Sequence, residues 1–164
     1  MYQFTPRLTF TNILETNKPR AVAWVTGKGE NASLSGLVKF YDTPYGGVLV
    51  EAEIFGLPNV NEQKSSNFYA MHIHEFGDCS DAFDKTGAHF NPTNQMHPQH
   101  EGDLIPLLGN QGYAWTTFYD KRFSINDIIG RSVIIHAKRD DFTTQPSGDS
   151  GMKIGCGVIR VEES

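Results

Sequence analysis

The chain has 164 residues, a formal net charge of −5 and a pI near 5.6. That length fits one domain with a sizeable core, and the acidic balance argues against nucleic acid as a partner. No apolar run approaches the ~20 residues that span a bilayer, and residues 1–10 lack the basic and apolar regions of a signal peptide. The expectation is a soluble, cytoplasmic chain with no membrane partner.

Residues 1–18 show no firm periodicity and read as an N-terminal extension able to add an edge strand. Residues 21–26 are rich in strand formers and stop at the turn signal Gly27-Lys-Gly29. Residues 34–41 follow, then a second turn over 43–47. Residues 48–55 place polar side chains at alternate positions, as a half-buried strand does, and end at Gly56-Leu-Pro58. Residues 68–74 and 114–119 are the fourth and fifth strands, and 134–138 and 154–161 complete the set. Nothing in this series carries helical periodicity over the length a stable helix needs. Short strands broken by turn clusters give an all-β chain, an antiparallel sandwich or barrel. Segments 75–112 and 139–152 are too long for hairpins and read as functional loops.

Five of the six histidines fall within residues 71–103, and the sixth, His136, lies on a separate strand. His72 and His74 alternate on one strand, so their imidazoles share a face. His89, His97, His100 and Asp103 lie in the first long loop at intervals of eight, three and three residues. Three imidazoles and a carboxylate suit a closed tetrahedral zinc site. His136 beside His72 and His74 makes a second, all-nitrogen site possible, a donor set that favours copper(II). The two cysteines, Cys79 and Cys156, form no Cys-x-x-Cys pattern and read, by themselves, as independent thiols. No Gly-x-Ser-x-Gly or P-loop pattern is present.

These residues stand in motifs that resemble the copper/zinc superoxide dismutases: His72-Ile-His-Glu-Phe-Gly-Asp78, Gly87-Ala-His-Phe-Asn-Pro92, His100-Glu-Gly-Asp-Leu104, Ile129-Gly-Arg-Ser-Val-Ile-Ile-His136, Arg139-Asp-Asp141 and Gly155-Cys-Gly-Val-Ile159. They run in the family's order over about residues 20–162. The resemblance implies an eight-stranded Greek-key flattened barrel, an immunoglobulin-like β-sandwich with two long functional loops. That architecture comes with the family; the strand pattern alone gives only a sandwich or barrel. The resemblance also implies a domain over residues 19–164 following the 1–18 extension. It implies copper held by His72, His74, His89 and His136, and zinc held by His89, His97, His100 and Asp103, with His89 shared. Asp140 would link His72 to His97 from behind, fixing both rings. Cys79 and Cys156 would form a disulfide.

The implied reaction is dismutation of superoxide to oxygen and hydrogen peroxide, with His89 as proton carrier. A homodimer and a copper-delivery partner are implied too. Lys153 stands where the family carries an arginine beside copper; it keeps the charge and loses the planar fork. A copper chaperone built on the same domain would add Met-x-Cys-x-x-Cys, which is missing here. All seven expected ligands are present, which argues against an inert relative.

Overall fold

The computed structural model describes residues 5–59 and 66–163. Its elements are helix α1 (Pro6–Thr16), strands β1 (Ala21–Gly27), β2 (Ser35–Asp42), β3 (Val48–Phe55), β4 (Phe68–Tyr69), β5 (Met71–His74), β6 (Leu107–Leu108) and β7 (Ala114–Asp120), helix α2 (Ile125–Ile128), and strands β8 (Ser132–His136) and β9 (Lys153–Val161). Seven strands form one curled antiparallel sheet in the order β5–β8–β9–β1–β2–β3–β7, and β4 pairs with β6 in a separate two-stranded ladder. The all-β class read from the strand pattern is the one observed.

Period-two alternation decides the two faces. On β3 the side chains of Val48, Val50, Ala52 and Ile54 enter the core, whereas Glu51 and Glu53 lie outside. Ala21, Ala23 and Val25 of β1 enter it with Val133 and Ile135 of β8, and Met71 and Ile73 of β5. His72 and His74 therefore project from the opposite, outer face of the sheet. Register places His72 beside Ile134 and His74 beside Ser132. A register shift between Ile135 and His136 sets His136 opposite Lys153 on β9.

Four elements differ from the sequence expectation, one of them the strand β6 inside the 75–112 segment read as a loop. Residues 6–16 form a helix, not an edge strand; the first four residues of the extension lie outside the described residues. Pro6 suits a first helical position, where its missing N–H costs nothing. Phe10, Ile13 and Leu14 make a short apolar stripe that packs on Tyr41 and Leu49 of the outer sheet face. Phe10 also stacks on Tyr119, with ring centroids 5.0 Å apart. Residues 68–74 divide at Ala70, whose N–H donates to Lys138 O and whose carbonyl accepts from His136. The four-residue helix α2 begins with a capping box, Ser124 and Asp127 each bonding the other's backbone.

Candidate metal centre

The loop after β5 returns twice to that strand's free edge. Ile73 N–H donates to Gly102 O and its carbonyl accepts from Phe90, while Gly102 N–H donates to Phe90 O, each at 2.8 Å. Isolated bridges set His89 opposite His74 and Asp103 opposite His72. A side chain at Gly102 would collide with the Ile73 carbonyl, so this close return needs glycine. The backbone thus delivers His89 and Asp103 to the face where His72 and His74 already project.

Two buried groups result, His72, His74, His89 and His136 in one, and His89, His97, His100 and Asp103 in the other. Within each, the potential ligand atoms lie within 4.8 Å of one another. All seven side chains are at most 7 % exposed. Most rings have one nitrogen anchored outside the group. His72 Nε2 donates to Asp140 Oδ2 at 2.7 Å and His97 Nε2 to Asp140 Oδ1 at 2.8 Å. His74 Nδ1 donates to Gly87 O at 2.9 Å, and His136 Nδ1 to Gly151 O at 3.1 Å. Anchoring one nitrogen fixes the tautomer and aims the other inward.

The inward atoms lack ordinary partners. His72 Nδ1, His89 Nε2 and His97 Nδ1 are buried without a hydrogen bond, each an omission worth about 1–3 kcal/mol if left unmet. His74 Nε2 and His136 Nε2 face each other at 3.3 Å. His97 Nδ1 lies 3.0 Å from Asp103 Oδ2 without hydrogen-bonding geometry, as two atoms do that point toward a common third. His89 Nδ1 lies 2.7 Å from Asp103 Oδ1 and 3.4 Å from His100 Nδ1, so its two nitrogens serve different groups. This donor set fits two metal ions, the first offered four nitrogens and the second three nitrogens and a carboxylate oxygen.

Electrostatics prepare the same outcome. Burial lowers the pKa of His72 to about 4 and that of His136 to about 3, and also lowers His74, which His136 and His89 then disfavour further as cations. At neutral pH these rings are lone-pair donors, the form a metal requires. Burial opposes ionisation of Asp140, but hydrogen bonds from His72, His97 and the Phe142 N–H outweigh it and hold the carboxyl at about 2. Burial likewise opposes the Asp103 charge, and the His89 bond overcomes it. Gly148, at φ +69°, lies against this pair; a Cβ there would strike Asp140 Oδ1 and His97 Nε2.

Lys153 begins β9 and is half-buried. Its ammonium donates to Thr86 Oγ1 at 2.9 Å and to the Phe83 and Gly87 carbonyls at 3.3 Å. The Gly87 carbonyl is the one that anchors His74, so Lys153 braces the His74 ring through a shared acceptor. Cys79 and Cys156 are joined in a disulfide with Cα atoms 5.7 Å apart, tying residues 79–87 to β9. Lys28 holds the same segment, donating to the Cys79 carbonyl at 2.6 Å and to Asp81 at 2.9 Å.

Two supporting side chains escaped the sequence reading. Arg122 pairs with the buried Asp120 carboxylate at 2.6 Å and donates to the carbonyls of His100 at 2.8 Å and Asp103 at 2.5 Å. An arginine two residues beyond an aspartate at a strand end was the only visible sign. Gln145 bonds both backbone groups of His97, and nothing in its sequence neighbourhood marks it.

A family model described as copper/zinc superoxide dismutase matches residues 34–159. "Superoxide dismutase [Cu-Zn] 3" of Arabidopsis thaliana is 33 % identical over 161 residues, covering 88 % of this chain and 92 % of its own. "Superoxide dismutase [Cu-Zn] A" of Xenopus laevis is 33 % identical over 155 residues, covering 85 % and 96 %. "Extracellular superoxide dismutase [Cu-Zn]" of Mus musculus is 33 % identical over 139 residues, 79 % of this chain and 55 % of the mouse protein. Among the described residues no helix is long and apolar enough to cross a membrane. With its curled antiparallel sheet, its two histidine groups and these relatives, the chain belongs to the copper/zinc superoxide dismutase family.

Proposed function

We propose that this protein dismutes superoxide, with His72, His74, His89 and His136 holding copper and His89, His97, His100 and Asp103 holding zinc. The observation that carries this reading is His89, whose Nδ1 faces Asp103 and His100 while its buried Nε2 is unpartnered. Copper held there would supply the one-electron redox chemistry that disproportionation of superoxide needs, and zinc, having no redox chemistry, would supply charge and geometry. His89 is the residue to carry a proton at Nε2 for the peroxide product, since its Nδ1 is engaged elsewhere. Asp140 keeps His72 and His97 in their ligating tautomers. Water is excluded from the rings by burial, and the Gly87 and Gly151 carbonyls keep His74 and His136 from rotating.

Lys153, with exposed Lys138 and Arg139 following its register partner His136, supplies positive potential for an incoming anion, and local fields steer more than net charge does. Each of Lys153's three N–H groups already has an acceptor. An anion therefore meets its charge without a free donor. Lys153→Arg adds donors and should raise the second-order rate and its sensitivity to small inhibitory anions; unchanged values would remove Lys153 from this role.

Residues 19–164 form the working domain in this reading, following the 1–18 extension, whose helix α1 (Pro6–Thr16) covers part of the outer sheet face. A homodimer is supported by the exposed Trp24, Phe76, Ile129 and Val161. Gly77, next to Phe76, abuts the Gly130 carbonyl and Val158, and Gly157 abuts the Trp24 backbone, so most of this patch is continuous. Sedimentation of Phe76→Glu should show monomer; an unchanged dimer would place the interface elsewhere. A copper-delivery partner and a cytoplasmic location complete the proposal, and fractionation with copper supplied or withheld tests both. The function itself is tested by metal analysis alongside a superoxide-consumption assay. One copper and one zinc per chain with fast consumption is expected; both metals bound without turnover would leave a metal-binding protein.

A further inference from the structure

We infer that Gln145 is a positioning residue that latches the 139–152 loop onto His97 and thereby sets the metal affinity of the His89, His97, His100 and Asp103 group. The inference rests on the zinc reading of that group. Gln145 Oε1 accepts from the His97 N–H at 2.9 Å, and Gln145 Nε2 donates to the His97 carbonyl at 2.7 Å. One planar amide thus satisfies both backbone groups of one residue, as a neighbouring strand would. The amide can point only this way, because reversal would oppose donor to donor and acceptor to acceptor.

The ring of the same residue is held from the same loop, by Asp140 at 2.8 Å. His97 is therefore fixed at three points by residues 140–145, two on the backbone and one on the ring. Ring orientation alone does not place Nδ1; the backbone must also be at the right distance from Asp103 and His100. Side chains behind a ligand commonly change metal affinity by about 10–100-fold, and Gln145 acts one bond network further back than Asp140, on the main chain. Arg122 grips the other end of the same ligand segment at the His100 and Asp103 carbonyls. The segment 97–103 is thus held at both ends by side chains outside it.

The test uses the full-length protein and cobalt(II) or zinc as the probe. Gln145→Met keeps the volume and removes both bonds. Gln145→Glu keeps the acceptor for the His97 N–H and sets an oxygen against the His97 carbonyl. Competition with a chelator should show roughly 10-fold or more weaker zinc binding in both variants. The visible spectrum of cobalt bound in this group should change in band position or intensity, which a change in overall stability alone would not produce. Hydrogen exchange of the wild-type His97 amide supplies a reading independent of any variant: it should be protected although it lies in a loop. Unchanged affinity and an unchanged cobalt spectrum, or a His97 amide exchanging like a free loop amide, overturns the latch. A wild-type protein that binds neither metal at this group overturns the zinc reading and the latch together.

Discussion

Replacing Arg122 with glutamine separates two jobs that one side chain performs. The first is to neutralise Asp120, whose side chain is 7 % exposed, from a guanidinium side chain 39 % exposed. Breaking a buried pair costs about 3–5 kcal/mol; the wet arginine side brings that down to about 2–3 kcal/mol. The second job is to hold the His100 and Asp103 carbonyls at 2.8 and 2.5 Å, and losing these charge-assisted bonds loosens two members of the His89, His97, His100 and Asp103 group. Arg122→Gln should therefore lower both the unfolding free energy and the zinc affinity, the latter by about tenfold. Adding Asp120→Asn removes the uncompensated buried charge and should return roughly half of the lost stability, leaving zinc affinity low. Urea unfolding and chelator competition on the three proteins read the two effects apart. If zinc affinity recovers along with stability in the double variant, the carbonyl contacts do not position the ligands and the reasoning fails.

Acid should destabilise the metal-free protein in a defined window. Folded His72 and His136 titrate at about 4 and about 3 instead of 6.5 because burial disfavours their cations. The unfolded chain then binds protons that the folded one refuses, so stability falls as pH drops below about 6.5 and continues to fall until those lower values. Asp140, at about 2 against an ordinary 3.8, contributes stability that is present above about 4 and lost as pH falls toward 2. Urea midpoints that stay flat or rise between pH 7 and 5 would contradict this. The Cys79–Cys156 bridge spans 77 positions, and closing such a loop is worth up to about 4.5 kcal/mol in the chain-entropy model. Cys156→Ser should lower Tm by roughly 10 °C. An unchanged Tm would mean that Lys28 and Lys153 hold residues 79–87 without it.

Much of the sheet was legible because its strands alternate cleanly, β3 most of all. Helix α1 was not, because it buries only Ile13 fully and finds its partners, Tyr41 and Leu49, on the outer face of a sheet far along the chain. Its apolar stripe is short, and it acquires meaning only once that face exists. The Ser124 and Asp127 capping box was readable and overlooked, since a four-residue helix gives no periodicity. Strand β6 has two residues, too few for any pattern.

At the candidate metal centre the density of histidines marked the residues that gather into the two buried groups, and alternation put His72 and His74 on one face. Which nitrogen each ring turns inward was not legible, because carbonyls of Gly87 and Gly151 and the carboxylate of Asp140 decide it. Arg122 and Gln145 act on backbone atoms of residues 19 or more positions away. Contacts of that kind have no sequence spacing to read.

The central claim is that bound copper performs the reaction while zinc only shapes the site. Stopped-flow decay of superoxide, measured on zinc-loaded protein titrated with copper from none to one per chain, tests it most directly. The second-order rate should rise in proportion to copper, from a zinc-only baseline near zero, and fall again when copper is removed. A rate that is the same with and without copper would contradict the account.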